Sequence, residues 1–596
     1  LFPAEAPTQW HPVTINMHLN REYSNPFDPA VVDVEGHFTG PKGDVTIPGF
    51  AYQDYVLEPG KKEPTAQGGL SWKVRFMPVV PGHYTYKVTL KDTAAETTLT
   101  AGAFDCTAAK DRGFVRISAK DPRAFEFEDQ SYYYPIGLNV RHAGDRDNVH
   151  EGLPAITHYF DKMASVGLTW TRTWMSSWWL AIEWSHDYDA RYHGVGRYNL
   201  SNAWLLDKTL EAADRDGLYV DLTLNNHGQF SRGSDPEWQY NPYNVQNGGR
   251  LTYPAEFFTD PWAKAMFKQR LRYIVARWGY SPHIFAWELF NEVDLTEGYS
   301  NQNVNTWMSE MSDYIHSIDP YQHLVSTHVC WWQSDTLLWS NPKLQFVQAD
   351  GYVRWMRGRD TMATFTDKIW WAKEPFNKPA YIVEFGYKQD SQDTDASPQF
   401  HPGIWSGFMS PFSANSMYWD WYLVEQRNFW PQYAALVKFA RGEDRRGQNL
   451  QVSDCTVDGP EYLAANGINN GTRAYAWVYH PARLNAWKDG DKTYNWTING
   501  SGQGSPTLTT FAPVTGAKLK LGGLTDGSYH VEFWDTWKGV IIGETTVKAT
   551  AAQIIVPLPN FKIDLALKIK RTDAAVATTQ VKAVQETKLV LENGRV

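Results

Sequence analysis

Cysteine is scarce in this chain of 596 residues, which has only Cys106, Cys330 and Cys455. They lie far apart and match no metal-binding spacing, so we expect three buried thiols rather than a disulfide framework. The redox compartment stays undecided. The sequence also lacks a glycine-rich phosphate loop and a serine or cysteine triad signature. We therefore expect neither a cofactor nor a metal ion.

Long basic runs and long apolar runs are missing too. The formal net charge is −10, which argues against a nucleic-acid partner. No apolar run approaches the roughly 20 residues that cross a bilayer. The sequence opens at Leu1 without methionine, as expected after removal of an export signal, which predicts a secreted or periplasmic protein. Nothing indicates the oligomeric state.

Aromatic residues, in contrast, are abundant: 28 Trp, 32 Tyr and 28 Phe. Large aromatic cores would explain them. Sugar binding would as well, because an aromatic face packs against the C–H face of a pyranose ring. Both interpretations stay open for the whole chain, and sugar binding is favoured for Trp clusters in loops.

The chain is too long for one core and divides into three β- or βα-patterned regions and a tail. Residues 1–112 alternate short β-patterned runs with Gly and Pro turns, which predicts a β-sandwich. Residues 447–571 return to this pattern and predict a second antiparallel β-sandwich. Residues 572–596 are small and polar and predict a loosely held tail.

Between these regions, residues 113–446 alternate strand and helix patterns, as βα units do. Eight strands are predicted: Tyr133–Val140, Leu168–Met175, Leu218–Asn225, Ile284–Asn291, Leu324–Val329, Phe346–Val353, Tyr381–Phe385 and Ser416–Trp421. The amphipathic stretches are Leu153–Val166, Trp204–Asp216, Trp262–Trp278, Val304–Ile318 and Met362–Lys373. The prediction is a (β/α)8 TIM barrel, entered through a hairpin at Gly113–Ser118 and Ala124–Glu128 that caps its bottom.

Two predicted strands end in a glutamate. His283–Glu292 is apolar and aromatic up to its final Asn-Glu pair, and Ala380–Tyr387 carries Glu384. A carboxylate at the mouth of a buried strand is costly to desolvate unless something uses it. Two such groups several βα units apart suggest a glycosidase, since retaining hydrolysis needs two carboxyl groups about 5–5.5 Å apart.

These residues resemble clan A of the glycoside hydrolases, the retaining (β/α)8 superfamily that includes cellulases and mannanases. The resemblance implies that Glu292 is the acid/base and Glu384 the nucleophile. It also implies that Arg172 keeps the nucleophile ionised and that Asn291 binds the sugar 2-hydroxyl. Phe27–Pro29 and Val34–Phe38 resemble the small β domain that often precedes such barrels, and we favour a packing role for it over glycan binding.

The resemblance extends to aromatic and histidine positions. It places His227 near the catalytic subsite, Tyr352 against the nucleophile and Trp419 under the sugar. Asp350 stands where the clan often has histidine, in His-x-Tyr, which is a departure. For Arg172, a purely structural salt bridge remains an alternative. For His227, the alternative is an ordinary loop histidine. Further aromatic candidates for the substrate site are Trp174, Trp331 and Trp332.

Other carboxylates are interpreted differently. Glu288 and Asp221 share the inward parity of the site residues but lie deeper, as interior hydrogen-bonding groups. Asp420 would point away from the site. We expect Arg172 to keep Glu384 ionised, and an apolar Trp-rich wall to raise the pKa of Glu292.

The sequence thus predicts a retaining β-glycoside hydrolase that acts on a polysaccharide or oligosaccharide by double displacement. One alternative is an acidic glycan bearing uronate or sulfate, because basic residues follow strands one and six. These are Arg141, His142, Arg354, Arg357 and Arg359. A second alternative is a barrel that binds glycan without cleaving it. The sequence does not distinguish chain-end from internal cleavage.

Overall fold

The computed structural model describes most of the chain as three regions rich in regular structure. The described residues are 7–142, 151–330, 335–352, 366, 369–370, 372–386, 397–486, 492–493, 497–498, 504–505 and 509–572. Predictions that fall outside them include Trp331 and Trp332, the arginines at 354, 357 and 359, and the tail beyond residue 572.

The N-terminal region is formed by two antiparallel sheets. One has the order Gly43–Pro48, Val32–Gly40, Gly82–Asp92 and Glu96–Cys106, and the other has the order Val13–Met17, Thr65–Phe76 and Phe50–Val56. Side chains alternate between core and solvent along these strands, as expected when one face of each sheet is buried. Phe38 and Phe76 stack at 4.1 Å between ring centroids and join the two sheets.

In the described residues of the central region there are seven parallel strands, which we number one to seven in chain order. They are Gly137–Leu138, Trp170–Trp174, Tyr219–Thr223, Ile284–Glu288, Leu324–Ser326 continued by His328–Val329, Val347–Asp350 and Ala380–Glu384. Strands one to five (through Ser326) form one sheet, and His328–Val329 with strands six and seven forms another. Strands two, three, four and seven are buried along their whole length, as βα folds require.

The predicted strands at the two ends of the series differ from the structure. Strand one is only two residues long. Pro135, which cannot donate a backbone hydrogen bond, interrupts the predicted run Tyr133–Val140 before it. The predicted strand Ser416–Trp421 is reduced to bridges from Tyr418 to Leu138 and to Phe385, and a helix begins at Trp421. These bridges place Tyr418 between strands seven and one.

Helices follow most of the parallel strands. The α-helices whose bounds the described residues give are Leu153–Ser165, Leu200–Asp216, Pro261–Trp278, Asn301–Ile318, Thr336–Ser340, Ser397–Phe408, Trp421–Gln426, Trp430–Ala440 and Pro481–Ala486. The short 3-10 helices are His227–Phe230, Trp238–Tyr240, Val245–Asn247, Pro254–Phe258, Val293–Leu295 and Glu374–Phe376. Most of the predicted helix Met362–Lys373 lies outside the described residues.

A small antiparallel sheet, formed by Val115–Ile117, Phe125–Phe127 and Tyr132–Tyr133, lies beneath the parallel strands. The Phe125 ring packs 5.0 Å from Phe285 and 5.8 Å from Phe346. These buried rings fill the end of the parallel strands opposite the carboxyl-terminal ends that carry Glu292 and Glu384.

The C-terminal region, predicted as an antiparallel β-sandwich, is one antiparallel sheet of nine strands whose two halves share a core. Its order is Gln451–Val452, Ala464–Asn469, Arg473–Tyr479, Asp564–Arg571, Gly527–Asp535, Val540–Thr550, Gln553–Pro557, Lys518–Gly522 and Cys455–Asp458. Four two-residue strands pair beside it: Lys492–Thr493, Thr497–Ile498, Gly504–Ser505 and Thr509–Thr510. Buried Asp564 accepts hydrogen bonds from Trp477 and Trp537 and pairs with His401, which ties this sheet to the central region.

The N-terminal sheets are held to the central helices by a buried charge cluster. Asp207 accepts hydrogen bonds from Arg277 Nη2 at 2.7 Å and from Arg75 Nη1 at 3.0 Å. Arg75 lies on an N-terminal strand, whereas Asp207 and Arg277 lie on two helices of the central region. Charge pairing across this boundary makes the N-terminal region a packing partner of the central one.

Two composition-based expectations can be compared with the described residues. Cys106 is buried, but Cys330 and Cys455 are only half-buried, so burial of all three thiols was wrong for two of them. Among the described residues, no helix combines the length and hydropathy needed to span a bilayer.

Candidate active site

A cleft of about 550 Å³ opens at the carboxyl-terminal ends of the parallel strands. Its size is that of ordinary small-molecule sites. Carboxylates, imidazoles and indoles line it together: Arg141, His142, Trp174, Trp178, Asn226, His227, Asp235, Glu237, Glu292, Tyr352, Glu384, Trp419 and Asp420. The cleft therefore contains both strand-end glutamates.

Glu384, at the end of strand seven, is held by two hydrogen-bond donors. Nη1 of Arg172 lies 2.5 Å from its Oε1, and the hydroxyl of Tyr352 donates to its Oε2 at 2.8 Å. Arg172 also forms a two-pronged interaction with Glu288, through Nε at 2.7 Å and Nη2 at 2.5 Å. All three charged side chains are buried. Arg172 is thus both a structural ion-pair partner and a neighbour of Glu384.

The two deeper carboxylates occupy the predicted interior. Glu288 is fully buried against Arg172, and Asp221 accepts a hydrogen bond from the Tyr381 hydroxyl at 3.2 Å. Burial, reinforced by the charge of Glu288, raises the pKa of Asp221 well above its usual range. These groups support Arg172 from below and do not line the cleft.

Glu292 follows strand four in a left-handed backbone conformation, with φ 43° and ψ 50°. This conformation costs about 1–3 kcal/mol in a residue other than glycine and persists where the surrounding structure enforces it. The side chain meets Nδ1 of His227 at 3.1 Å. On its other side, His227 meets Asp235 through Nε2 at 3.0 Å. The imidazole therefore lies between two carboxylates.

The interaction between His227 and Glu292 contradicts the expectation that the pKa of Glu292 is raised. Burial lowers the pKa of His227, but Glu292 and Asp235 outweigh burial and raise that pKa to about 10. Burial alone would raise the pKa of Glu292, yet protonated His227 brings it well below its usual range. An apolar wall was the wrong environment to expect for Glu292, because His227 contacts it directly.

Glu384 departs from expectation in the opposite direction. Burial raises its pKa to about 7, although Arg172 opposes the shift, and the negative charge of Glu292 adds to it. The expectation that Arg172 keeps Glu384 ionised was wrong near neutral pH, because burial outweighs Arg172 and Arg172 also pairs with Glu288. Below about pH 7 the two glutamates together hold one proton, and they lose it as the pH rises through that value.

His328, at the end of strand five, is a central residue that sequence reasoning missed. Its Nδ1 lies 2.8 Å from Oδ1 of Asn291, and its Nε2 lies 2.7 Å from Oδ1 of Asp350. Asn291 Oδ1 also accepts from Arg172 at 2.7 Å. Asp350 stands where the resembled family often has histidine, and it contacts the His328 imidazole on the neighbouring strand. The signal available in the sequence was that His328 is a polar residue at the end of an apolar predicted strand.

Indole rings form one wall of the cleft. Trp174 and Trp419 lie 5.5 Å apart between ring centroids, and the guanidinium carbon of Arg141 lies 4.2 Å from the Trp419 ring. The rings of Trp178 and Trp421 also flank Arg141, at 5.6 and 5.2 Å. Arg141 is therefore a cleft residue, held in a cage of four indoles.

Three acidic side chains of the cleft were not assigned to it from the sequence. Asp235 and Glu237 come from the long segment after strand three, where no periodic pattern indicates their direction. Asp420 lines the same cleft as Trp419, so the expectation that it points away was wrong. Glu237 accepts hydrogen bonds from Ser177 at 2.5 Å and from the Trp178 indole at 3.2 Å.

Within the described residues, His328, Asp350 and Glu384 have ligand-type atoms within 4.8 Å of one another. A bound cation there would lie beside the Arg172 guanidinium, which donates to Glu384 at 2.5 Å. Like charges repel strongly in so buried a place. Glu384 is already bound by Arg172 and Tyr352, and His328 contacts Asn291 and Asp350, so this donor set does not suit a metal ion.

Two family models match this chain. Residues 112–335 match a model described as GH family 5 beta-mannosidase-like, and residues 6–91 match one described as a domain of unknown function. The first match includes Arg172, His227, Glu292 and His328 but ends before Glu384.

Curated relatives and one solved structure are similar to parts of the chain. A mannan endo-1,4-beta-mannosidase 2 from Oryza sativa subsp. japonica is 28% identical over 253 residues, covering 40% of this chain and 52% of that protein. A mannan endo-1,4-beta-mannosidase 4 from Solanum lycopersicum is 30% identical over 132 residues, covering 21% and 32%. The chain thus spans about half or less of these two relatives.

A solved structure from Bacteroides vulgatus, provisionally described as a glycoside hydrolase, has a TM-score of 0.58 at 15% identity. The match covers 95% of this chain and 100% of the Bacteroides vulgatus chain, which indicates a shared fold. Residues 112–335 are similar to family 5 beta-mannosidase-like proteins, and the predicted resemblance to clan A glycoside hydrolases is confirmed.

Proposed function

We propose that this protein is a retaining β-glycoside hydrolase whose seven parallel strands, closed through Tyr418, form a (β/α)8 barrel. The observation that carries the proposal is the pairing of Arg172 with Glu384, while Glu292 lines the same cleft beside His227. Two carboxyl groups in different electrostatic surroundings are what double displacement requires.

In the first step, an Oε atom of ionised Glu384 attacks the anomeric carbon. The bond from that carbon to the glycosidic oxygen breaks, and Glu292 donates a proton to the departing oxygen. In the second step, Glu292 takes a proton from water, the water oxygen bonds to the anomeric carbon, and Glu384 is released. The anomeric configuration is retained.

Substrate binding must shift the shared proton. In the free site the lower pKa belongs to Glu292, because His227 is charged, and the higher one to Glu384. A sugar whose glycosidic oxygen accepts a hydrogen bond from protonated Glu292 favours the arrangement with ionised Glu384. Binding energy thereby selects the reactive distribution of one proton over two carboxyl groups.

A neutral β-linked glycan containing mannose is the substrate class we propose. The family model and the named relatives support mannose. Asp235, Glu237 and Asp420 line the cleft and suit sugar hydroxyls, which donate hydrogen bonds. Arg141 is the observation that favours the acidic alternative, since its guanidinium could pair with a uronate. Asp235, Glu237 and Asp420 outnumber this one basic group, so we favour the neutral glycan.

A substrate panel tests the proposal. Aryl β-mannoside, aryl β-glucoside and aryl β-glucuronide would be compared with soluble β-1,4-mannan, glucomannan and an acidic β-glycan. We expect turnover of mannose-containing substrates that Glu384→Gln and Glu292→Gln each reduce by several powers of ten. Undiminished turnover in Glu384→Gln, or hydrolysis confined to the glucuronide and acidic glycan, would contradict the assignment.

A further inference from the structure

Beyond the cleft, aromatic side chains remain exposed on two long segments that follow strands two and three. Trp178, Tyr188 and Tyr240 are each 38% exposed. In the described part of the chain, only five aromatic residues are among the strongly exposed large apolar side chains, and the other two are Tyr253 and Tyr462. Four of the five, all except Tyr462, thus lie on these two segments at the carboxyl-terminal ends of the strands.

These side chains form one surface that continues the cleft. Tyr188 and Tyr240 meet edge to face at 5.5 Å between ring centroids. Glu237 connects the two segments, accepting from Ser177 and from the indole of Trp178. Because Trp178 and Glu237 also line the catalytic cleft, the surface begins where the cleft ends. We call Trp178, Tyr188, Tyr240 and Glu237 the aromatic platform.

The segment that carries Tyr188 is rigidly supported. Trp184 and Tyr192 are buried beneath it as a small core, and Tyr188 lies edge-on against Trp184. The Tyr192 hydroxyl donates to the Ser177 carbonyl at 2.6 Å, and Asn202 donates to the Ala181 carbonyl at 2.7 Å. A loop with its own core holds its exposed ring in place before any ligand binds.

The segment that carries Tyr240 is supported by asparagine side chains. Asn241 donates to the Gln229 carbonyl at 2.8 Å, Asn244 to that of Trp238 at 3.1 Å and Asn247 to that of Gln239 at 2.9 Å. Fixed rings bind with little loss of conformational entropy, which favours affinity.

We propose that the aromatic platform binds additional sugar units of a neutral β-linked glycan chain, beyond those held in the catalytic cleft. Exposed ring faces take the C–H faces of pyranose rings, and Glu237 accepts from a hydroxyl at the boundary with the cleft. This proposal depends on the proposed function only for the class of substrate. The platform makes the protein prefer chains over disaccharides.

Binding to a hydrolysis-deficient background tests the platform separately from catalysis. Glu384→Gln would be titrated by calorimetry with β-1,4-linked mannose and glucose oligosaccharides of two and six units. Adding Tyr188→Ala and Tyr240→Ala should weaken hexasaccharide binding about tenfold, which corresponds to about 1.4 kcal/mol for the two ring contacts together. Disaccharide binding should stay within twofold.

Two controls sharpen the result. Tyr188→Phe with Tyr240→Phe keeps both rings and should retain hexasaccharide affinity, and Tyr462→Ala, 61% exposed on the C-terminal region, should change nothing. Near-ultraviolet circular dichroism checks folding. The proposal is overturned if the double alanine variant binds hexasaccharide as tightly as its parent, if both lengths weaken equally, or if the parent shows no length preference. Length-dependent binding without hydrolysis by the wild type would contradict the proposed function and leave the platform standing.

Discussion

Nε2 of His328 lies 2.7 Å from Oδ1 of Asp350, and its Nδ1 lies 2.8 Å from Oδ1 of Asn291. Asn291 Oδ1 accepts a hydrogen bond from Arg172, so its contact with His328 calls for a proton on Nδ1. The backbone N–H of Glu292 also approaches Nδ1, at 3.4 Å. The Asn291 contact is the shorter of the two, so we assign the proton to Nδ1. Burial and the charge of Arg172 lower the pKa of His328 well below its usual range, so the ring is neutral. Its Nε2 then accepts, and Asp350 donates.

This arrangement requires a protonated Asp350. Burial, together with the charges of Glu384 and Glu292, raises the pKa of Asp350 well above its usual range. Asp350→Asn keeps a donor for His328 and should retain activity within about tenfold. Asp350→Ala leaves Nε2 unsatisfied at about 1–3 kcal/mol, roughly 5- to 150-fold in kcat/KM. The checks are kcat/KM and the ¹⁵N shifts of the imidazole. Equal losses in both variants, or a protonated Nε2 in the wild type, would contradict the donor role.

The activity should fall as the pH rises through about 7. Burial raises the pKa of Glu384 to about 7, and above this value the two glutamates lose the proton that they share. No acid then remains for the leaving group. A profile of kcat/KM against pH with an aryl glycoside would show the alkaline limb near pH 7.

His227→Gln should move that limb to higher pH. Removing the charge 3.1 Å from Glu292 removes what holds the pKa of Glu292 down, and such neighbours typically shift a pKa by about 1–3 units. Glu292 would then keep its proton to a higher pH. His530→Gln, on an exposed face of the C-terminal sheet, is the control. A limb that stays in place or moves to lower pH would refute the His227–Glu292 interaction.

Asp207→Asn should destabilise the packing between the N-terminal and central regions. Arg277 and Arg75 would lose their common counter-charge in a buried place, which costs about 3–5 kcal/mol. The Arg277 and Arg75 guanidinium groups lower the pKa of Asp207 against the opposing effect of burial, so this contribution is present above its unfolded pKa and is lost as pH falls through the folded one.

Chemical denaturation at pH 7 and at pH 3 provides the measurement for Asp207. The variant should unfold at lower denaturant concentration than the wild type, and the difference should narrow at the lower pH. Glu297→Gln breaks the exposed pair with Arg232 and should cost less than about 1 kcal/mol. Equal effects of the two substitutions would show that the Asp207 cluster contributes no more than a surface ion pair.

The parts of the site that follow the strand period could be predicted from the sequence. Buried strands carry Arg172 and Glu384 and are followed by Glu292. A charged residue in or beside an apolar run is easily recognised in the sequence. The structure places Arg172 beside Glu384 at 2.5 Å, as the resemblance implied. Strand-level reasoning therefore identifies residues whose direction is fixed by a regular backbone.

Residues that depend on neighbouring strands or on loops could not be predicted in this way. His328 belongs to the site because Asp350, on the next strand, meets its ring, and sequence spacing does not show pairing across strands. Glu237 lies on a segment of short 3-10 turns without a hydrophobic period. The predicted order of the pKa values of Glu292 and Glu384 was wrong for the same reason, because His227 contacts Glu292 from a different loop.

Trapping the glycosyl-enzyme most directly tests whether Glu384 is the nucleophile of a retaining hydrolase. A 2-deoxy-2-fluoro-mannosyl fluoride slows both steps and accumulates the intermediate, and peptide mass mapping locates the added sugar. The account predicts one sugar per chain, attached at Glu384, with no labelling in Glu384→Gln. Labelling at another carboxylate, or turnover of the reagent with inverted product and no covalent adduct, would contradict it.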